Sequence, residues 1–102
     1  MVNEAYVYVP EGVQLPRLYS ISGTPTEEIV LYIKLFTPDA NWTWYIAEYD
    51  SEEQICFGYV EGFEAEWGYF SLEEIKEVRG ALGLPVERDL HFKPTKFKDL
   101  GK

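Results

Sequence analysis

The sequence predicts an α+β domain: an antiparallel sheet of four to five strands, run as a meander, with one principal helix packed on one face. Three observations carry this. Strand-like segments rich in β-branched and aromatic residues recur between Glu27 and Leu72. Short polar or Gly/Pro turns join each to the next. A single capped helical pattern follows, from Ser71 to Gly80.

The elements follow in order. Residues 1–26 carry Pro10, Gly12, Pro16, Gly23 and Pro25, so they read as an irregular segment packed on the sheet. Within it, Tyr6 to Val9 is short-strand material. Glu27 to Phe36 gives the clearest strand signal. Ile29, Leu31, Ile33 and Leu35 alternate on one aliphatic face, with Val30, Tyr32, Lys34 and Phe36 on the other. Pro38-Asp39 turns the chain. Trp42 to Asp50 is the second strand, with Trp42, Trp44, Ile46 and Glu48 sharing a face. "DSEEQ" turns into a third strand, Ile55 to Val60, whose Gly58 signals a bulge or a close backbone approach. "EGFEAE" turns into a fourth, "WGYFSL".

In the helix, Ser71 and Glu74 match a capping box, and Gly80 stands where a C-cap belongs. Leu72, Ile75 and Val78 share its apolar face. A last strand is expected around Val86 to Phe92. Residues 93–102 form a basic tail in which Pro94 limits regular structure.

A chain of 102 residues bounds the protein to one domain. Apolar residues at 46% support a folded core, and aromatics at 17% suit either a small core or a binding surface. The lone cysteine, Cys56, excludes an internal disulfide and a four-cysteine metal site. No signal peptide and no bilayer-length apolar run is found, so a cytoplasmic protein is expected.

Net charge is -9. From Met1 to Ile75 two bases, Arg17 and Lys34, face fourteen acids. From Lys76 to Lys102 seven bases face four acids. Between Leu35 and Ile75 there is no Lys or Arg, and there are ten acids. Such a balance opposes nucleic-acid binding and favours a partner protein with a basic surface.

The strings "FTPDANWTWY", "FGYVEGFEAEWGYFSLEEI" and "GLPVERDLHF" resemble an uncharacterised family of small domains encoded on plasmids, phages and integrative elements. The resemblance spans roughly Leu18 to Pro94, and residues 1–12 stand outside it. It implies an accessory protein of a mobile element and carries over no catalytic residue. By the context of such elements, it suggests a small acidic protein that counters a host defence, some such proteins being DNA mimics.

No catalytic, cofactor or metal residue is assigned, and binding is favoured over catalysis. The interface candidates are Asp39, Trp42, Tyr45, Glu48, Tyr49, Asp50, Glu52 and Glu53, where aromatics adjoin acids in the base-free stretch. Trp44 and Tyr59 are assigned to the core. Arg79 is read as a helix-end cation and Arg88 as an internal ion pair or anion contact. One alternative is a metal-dependent hydrolase or nuclease using Asp39, Glu48, Asp50, Glu61 and Glu66. A pairing of Cys56 with His91 is the weaker catalytic option. The other alternative is a single-stranded nucleic-acid-binding module using the basic tail and the aromatics.

Overall fold

A computed structural model describes residues 3–101. Met1, Val2 and Lys102, the ends of the N-terminal segment and of the basic tail, lie outside the described residues. The strands are β1 (Val30–Leu31), β2 (Ile33–Phe36), β3 (Thr43–Asp50), β4 (Ile55–Glu61), β5 (Ala65–Ser71), β6 (Glu87–Arg88) and β7 (Thr95–Lys96). One helix, α1 (Leu72–Glu77), follows β5 directly. The main sheet is antiparallel with order β5-β4-β3-β2-β6, and β1 pairs separately with β7. The expected meander and single helix are both present.

Two apolar layers sandwich the sheet. On the helix side, Ile33, Leu35, Trp44, Ile46 and Cys56 meet Leu72 and Ile75 of α1, together with Val86 and Tyr8. The Tyr8 hydroxyl donates to the Val86 carbonyl at 2.7 Å, tying the N-terminal segment down. On the other side, Tyr45 and Ala47 join Ile29 and Leu31, with Phe57, Tyr59 and Trp67 packed beside them. The chain end covers this side with Phe92, Phe97 and Leu100. A short 3-10 turn, Phe97–Leu100, presents two of these, so regular structure resumes after Pro94.

A bulge organises the centre. The β3–β4 register shifts between Ile46 and Glu48, leaving Ala47 as the extra residue. Trp44 and Ile46 face the helix, but Glu48 pairs with Phe57 and turns to the opposite side. Tyr49 pairs with Cys56 and turns back toward the helix. Glu48 therefore does not share a face with Trp44 and Ile46, as simple alternation requires. Gly58 lies opposite Ile46, where a Cβ would overlap the Tyr45 carbonyl. Its expected role at a bulge and close approach is what the structure has.

The same disturbance crosses to the neighbouring strand. The stretch Glu27 to Phe36 is not one strand: Thr26–Glu28 is a 3-10 turn, and the chain breaks at Tyr32 between β1 and β2. The Tyr32 N–H donates to the Ile46 carbonyl at 2.9 Å, so the break lies beside the bulge. Ile33 and Leu35 enter the helix-side core, while Ile29 and Leu31 enter the other. The four aliphatic residues are thus divided between two cores.

Three further expectations are corrected. Tyr6 to Val9 forms no strand; Glu4–Tyr6 is a 3-10 turn started by the Asn3 side chain, which accepts from the Ala5 N–H at 2.9 Å. The helix ends at Glu77, because Val78 is extended and Arg79 bridges back to Pro85. Gly80 is not its C-cap but packs against the Asp39 carboxylate, where a Cβ would collide. The last strand is only Glu87–Arg88, since Asp89 accepts from the His91 N–H at 2.9 Å and turns the chain away.

Candidate interaction surface

The interface candidates do not form one patch. Strand β3 rises about 3.3 Å per residue, so its eight residues hold their two ends roughly 20 Å apart. Asp39 and Trp42 sit at one end; Asp50, Glu52 and Glu53 sit at the other.

At the first end, Thr37 is buried and ties the β2–β3 turn shut. Its N–H donates to the Trp42 carbonyl at 3.0 Å, and its hydroxyl accepts from the Trp42 N–H at 3.0 Å. Trp42 stacks on Trp44 with centroids 5.9 Å apart and meets the edge of Phe63 at 5.5 Å. Phe63 is 95% exposed, and Leu82 and Leu84 are exposed as well. Asp39 has a structural task. Its Oδ2 accepts from the Leu82 and Leu84 N–H groups at 2.7 and 3.3 Å, fixing the 80–84 loop. Trp42 walls two open clefts, of about 610 and 490 Å³. The larger also holds Lys34, Arg88 and His91.

The opposite end is acidic. The β3–β4 turn carries Asp50, Glu52 and Glu53, with Asp50 accepting from the Glu52 N–H at 3.0 Å. The start of α1 lies beside it, since the Leu72 N–H donates to the Gln54 carbonyl at 2.9 Å. Ser71 caps that start, accepting from the N–H groups of Glu73 and Glu74 at 3.0 and 3.3 Å. This brings Glu73 and Glu74 to the same pole. Lys76, bonded to Glu73 at 3.4 Å, is the one cation ion-paired with these five acids among the described residues.

Two candidates do not lie on the open surface. Tyr45 is 4% exposed and Glu48 is 2% exposed. Tyr45 is covered by Phe92, at 5.8 Å between centroids, because the C-terminal segment crosses that side of the sheet. Glu48 is turned inward by the bulge; its Oε2 accepts from the Ile21 N–H at 2.9 Å. Tyr49 is half-buried against the helix-side core, and burial raises its phenol pKa. Trp44 is buried as expected, and Tyr59 is half-buried beneath Phe97.

Arg79 donates to the Lys76 and Val78 carbonyls at 2.8 Å each, the helix-end role expected of it. Arg88 is ion-paired, though not to a neighbouring strand. It donates to the Val7 carbonyl at 2.6 Å and to the Glu4 carboxylate at 3.2 Å, clamping the N-terminal segment.

The catalytic options find no assembled site. Asp39 holds a loop at one end of β3, Glu48 is buried on one side, and Glu66 is exposed on β5. No group of three His, Cys, Asp or Glu residues that could hold a metal occurs among the described residues. Burial pushes the Cys56 thiol up to about 12, and His91 stands exposed beyond β6, three strands away in sheet order.

Four exposed aromatics, Tyr6, Tyr19, Phe63 and Tyr69, stand outside the interface candidates drawn from the sequence. Tyr19 is 70% exposed in the left-handed region, at φ 72°, and its ring lies 6.0 Å from Tyr69 of β5, which is 54% exposed. Phe63 lies in the turn between β4 and β5.

No helix among the described residues is long and apolar enough to cross a membrane. No curated protein and no solved structure matches the chain. A family model does match, over residues 19–98, nearly the span of the resemblance noted from the motifs. Within that span the three motif strings pack on one another: Trp42 lies against Gly62, and Asp39 lies against Gly80 and accepts from the Leu82 and Leu84 amides. The chain belongs to the DUF2958 family of proteins of unknown function.

Proposed function

We propose that this domain acts by binding: an acidic module of a mobile element that docks on the basic surface of a protein partner and so counters a host defence or nucleic-acid-binding protein. The observation that carries this reading is the acidic pole. Asp50, Glu52, Glu53, Glu73 and Glu74 converge there from a turn and a helix start, on a molecule of net charge -9. Arg17, which lines a cleft with Asp50 and Glu52, and Lys76 offset part of this charge, but five acids against two bases leave the end net negative. Such an excess steers association with a cationic surface, and the benefit falls with salt.

The nuclease reading gains no support, because its carboxylates are dispersed. The single-stranded nucleic-acid reading is weakened by the fate of the tail. Lys96 and Lys98 both bond Glu28, at 3.0 and 2.9 Å, and Phe97 lies against Tyr59 and Trp67. The cations and the stacking platform it needs are occupied by each other.

The test is capture from a host lysate, followed by association kinetics with the captured partner. Replacing Asp50, Glu52 and Glu53 together by Lys should slow association at low salt and flatten its salt dependence. An unchanged on-rate rejects the proposal.

A further inference from the structure

Glu48 poses a physical problem that its neighbours within the chain leave open. Its side chain is almost fully buried, yet no lysine or arginine among the described residues forms an ion pair with it. Its Oε2 accepts from the Ile21 N–H at 2.9 Å and, at a long 3.5 Å, from the Ser20 hydroxyl, whose shorter bond goes to the Arg17 carbonyl. A buried carboxylate is costly unless a cation or several donors compensate it. Glu48 lies at a cleft of about 230 Å³, lined also by Tyr19, Ile29, Phe57 and Tyr69. That is smaller than the ~300–1,000 Å³ of pockets for drug-sized ligands and suits one side chain. Aromatic walls around a carboxylate are the chemistry that receives an ammonium or guanidinium group.

The cleft borders a free strand edge. The Gly62 N–H donates to the Glu64 carbonyl and the Leu72 N–H to the Gln54 carbonyl. The hydrogen-bonded pairs of the β4–β5 ladder therefore fall at Glu66, Gly68 and Phe70. Ala65, Trp67 and Tyr69 turn their backbone N–H and C=O outward, and no described strand lies beyond β5. This edge carries no proline, no lysine and no bulge, the usual protections against added strands. Glu64 precedes the strand and Glu66 lies on it, both exposed and neither ion-paired with a described cation. Such charge disfavours a second copy of this acidic chain and favours a basic segment.

We propose that the Tyr19–Glu48–Tyr69 cleft is a recognition site for a lysine or arginine side chain of the protein partner, presented by an extended segment that pairs along β5. This rests on the binding role proposed above and locates the specific contact within it. The acidic pole governs encounter; the cleft governs how long the partner stays.

The probe is a short capped peptide of alternating threonine and valine with one central arginine. Its control carries citrulline, which keeps the shape and loses the charge. Titrations followed by NMR should show saturable shifts at the Tyr19 and Tyr69 rings and at the Ala65, Trp67 and Tyr69 amides. Binding should be roughly tenfold weaker for citrulline and for Glu48→Gln. The Gln oxygen still accepts from Ile21, so that variant keeps the fold, which its amide spectrum checks. Tyr19→Ala, at an exposed site, should weaken binding without touching the core. Equal affinity for the two peptides, or no effect of Glu48→Gln, overturns the cleft. If reversal of the acidic pole still slows capture of the partner, the binding role survives that failure. Loss of both effects refutes both.

Discussion

Gly58 has no space for a side chain, because the bulge at Ala47 brings the Tyr45 carbonyl against its Cα. Gly58→Ala is expected to cost about 2–4 kcal/mol, since the obstructing atoms are backbone and cannot rotate away. Urea denaturation should show the loss, with an unchanged midpoint contradicting it. The bulge also decides the chemistry of its neighbours. It turns Glu48 from the face of Trp44 to the cleft beside Phe57, and it carries Tyr49 to the wall of the helix-side core. Cys56, in the same core, is held neutral by burial and serves as a small apolar residue.

Among the elements, α1 has its start held by two hydrogen bonds to one side chain, Ser71. Six residues are too few for an isolated helix, so its cap and its two buried residues, Leu72 and Ile75, sustain it. Ser71→Ala should cost about 1 kcal/mol of stability, and Ser71→Asp should restore most of it. Denaturation of the two variants side by side is the measurement. Strand β5, directly before it, is anchored on one side and open on the other. That asymmetry lets one element close the core and still present a pairing edge.

Over the whole molecule, the chain end closes the second core through Phe92, Phe97 and Leu100, and Glu28 pins it through Lys98 and Lys96. Hydrogen bonds from Lys98 first, then Lys96, hold the Glu28 carboxyl below its ordinary value. A carboxyl whose folded pKa is lowered adds stability above its unfolded pKa and loses it as pH falls through the folded one. Acidification below the ordinary glutamate range should therefore loosen the tail. The Trp67 indole resonance, whose ring sits 5.1 Å from Phe97, should shift over that range, and Glu28→Gln should remove the pH response. Because the pair is exposed, salt should shrink the effect. A Trp67 signal indifferent to both pH and Glu28 would contradict the pinning.

The sequence by itself determined the antiparallel meander, the capped helix, the bulge glycine and the burial of Trp44. Each depends on local alternation, spacing or a backbone requirement that Gly58 and Ser71 express in place. It also determined that acids dominate from Leu35 to Ile75. The tertiary structure decided which face each residue takes once the bulge interrupts the alternation. It split Ile29 and Leu31 from Ile33 and Leu35, buried Tyr45, and moved Glu48 into a cleft with Tyr19 and Tyr69. A register shift is a property of two paired strands, and coverage of a sheet face is set by distant segments, here residues 92–100 over Tyr45. Neither is written in the local pattern of one strand, and together they determine which of the aromatic and acidic residues a partner can reach.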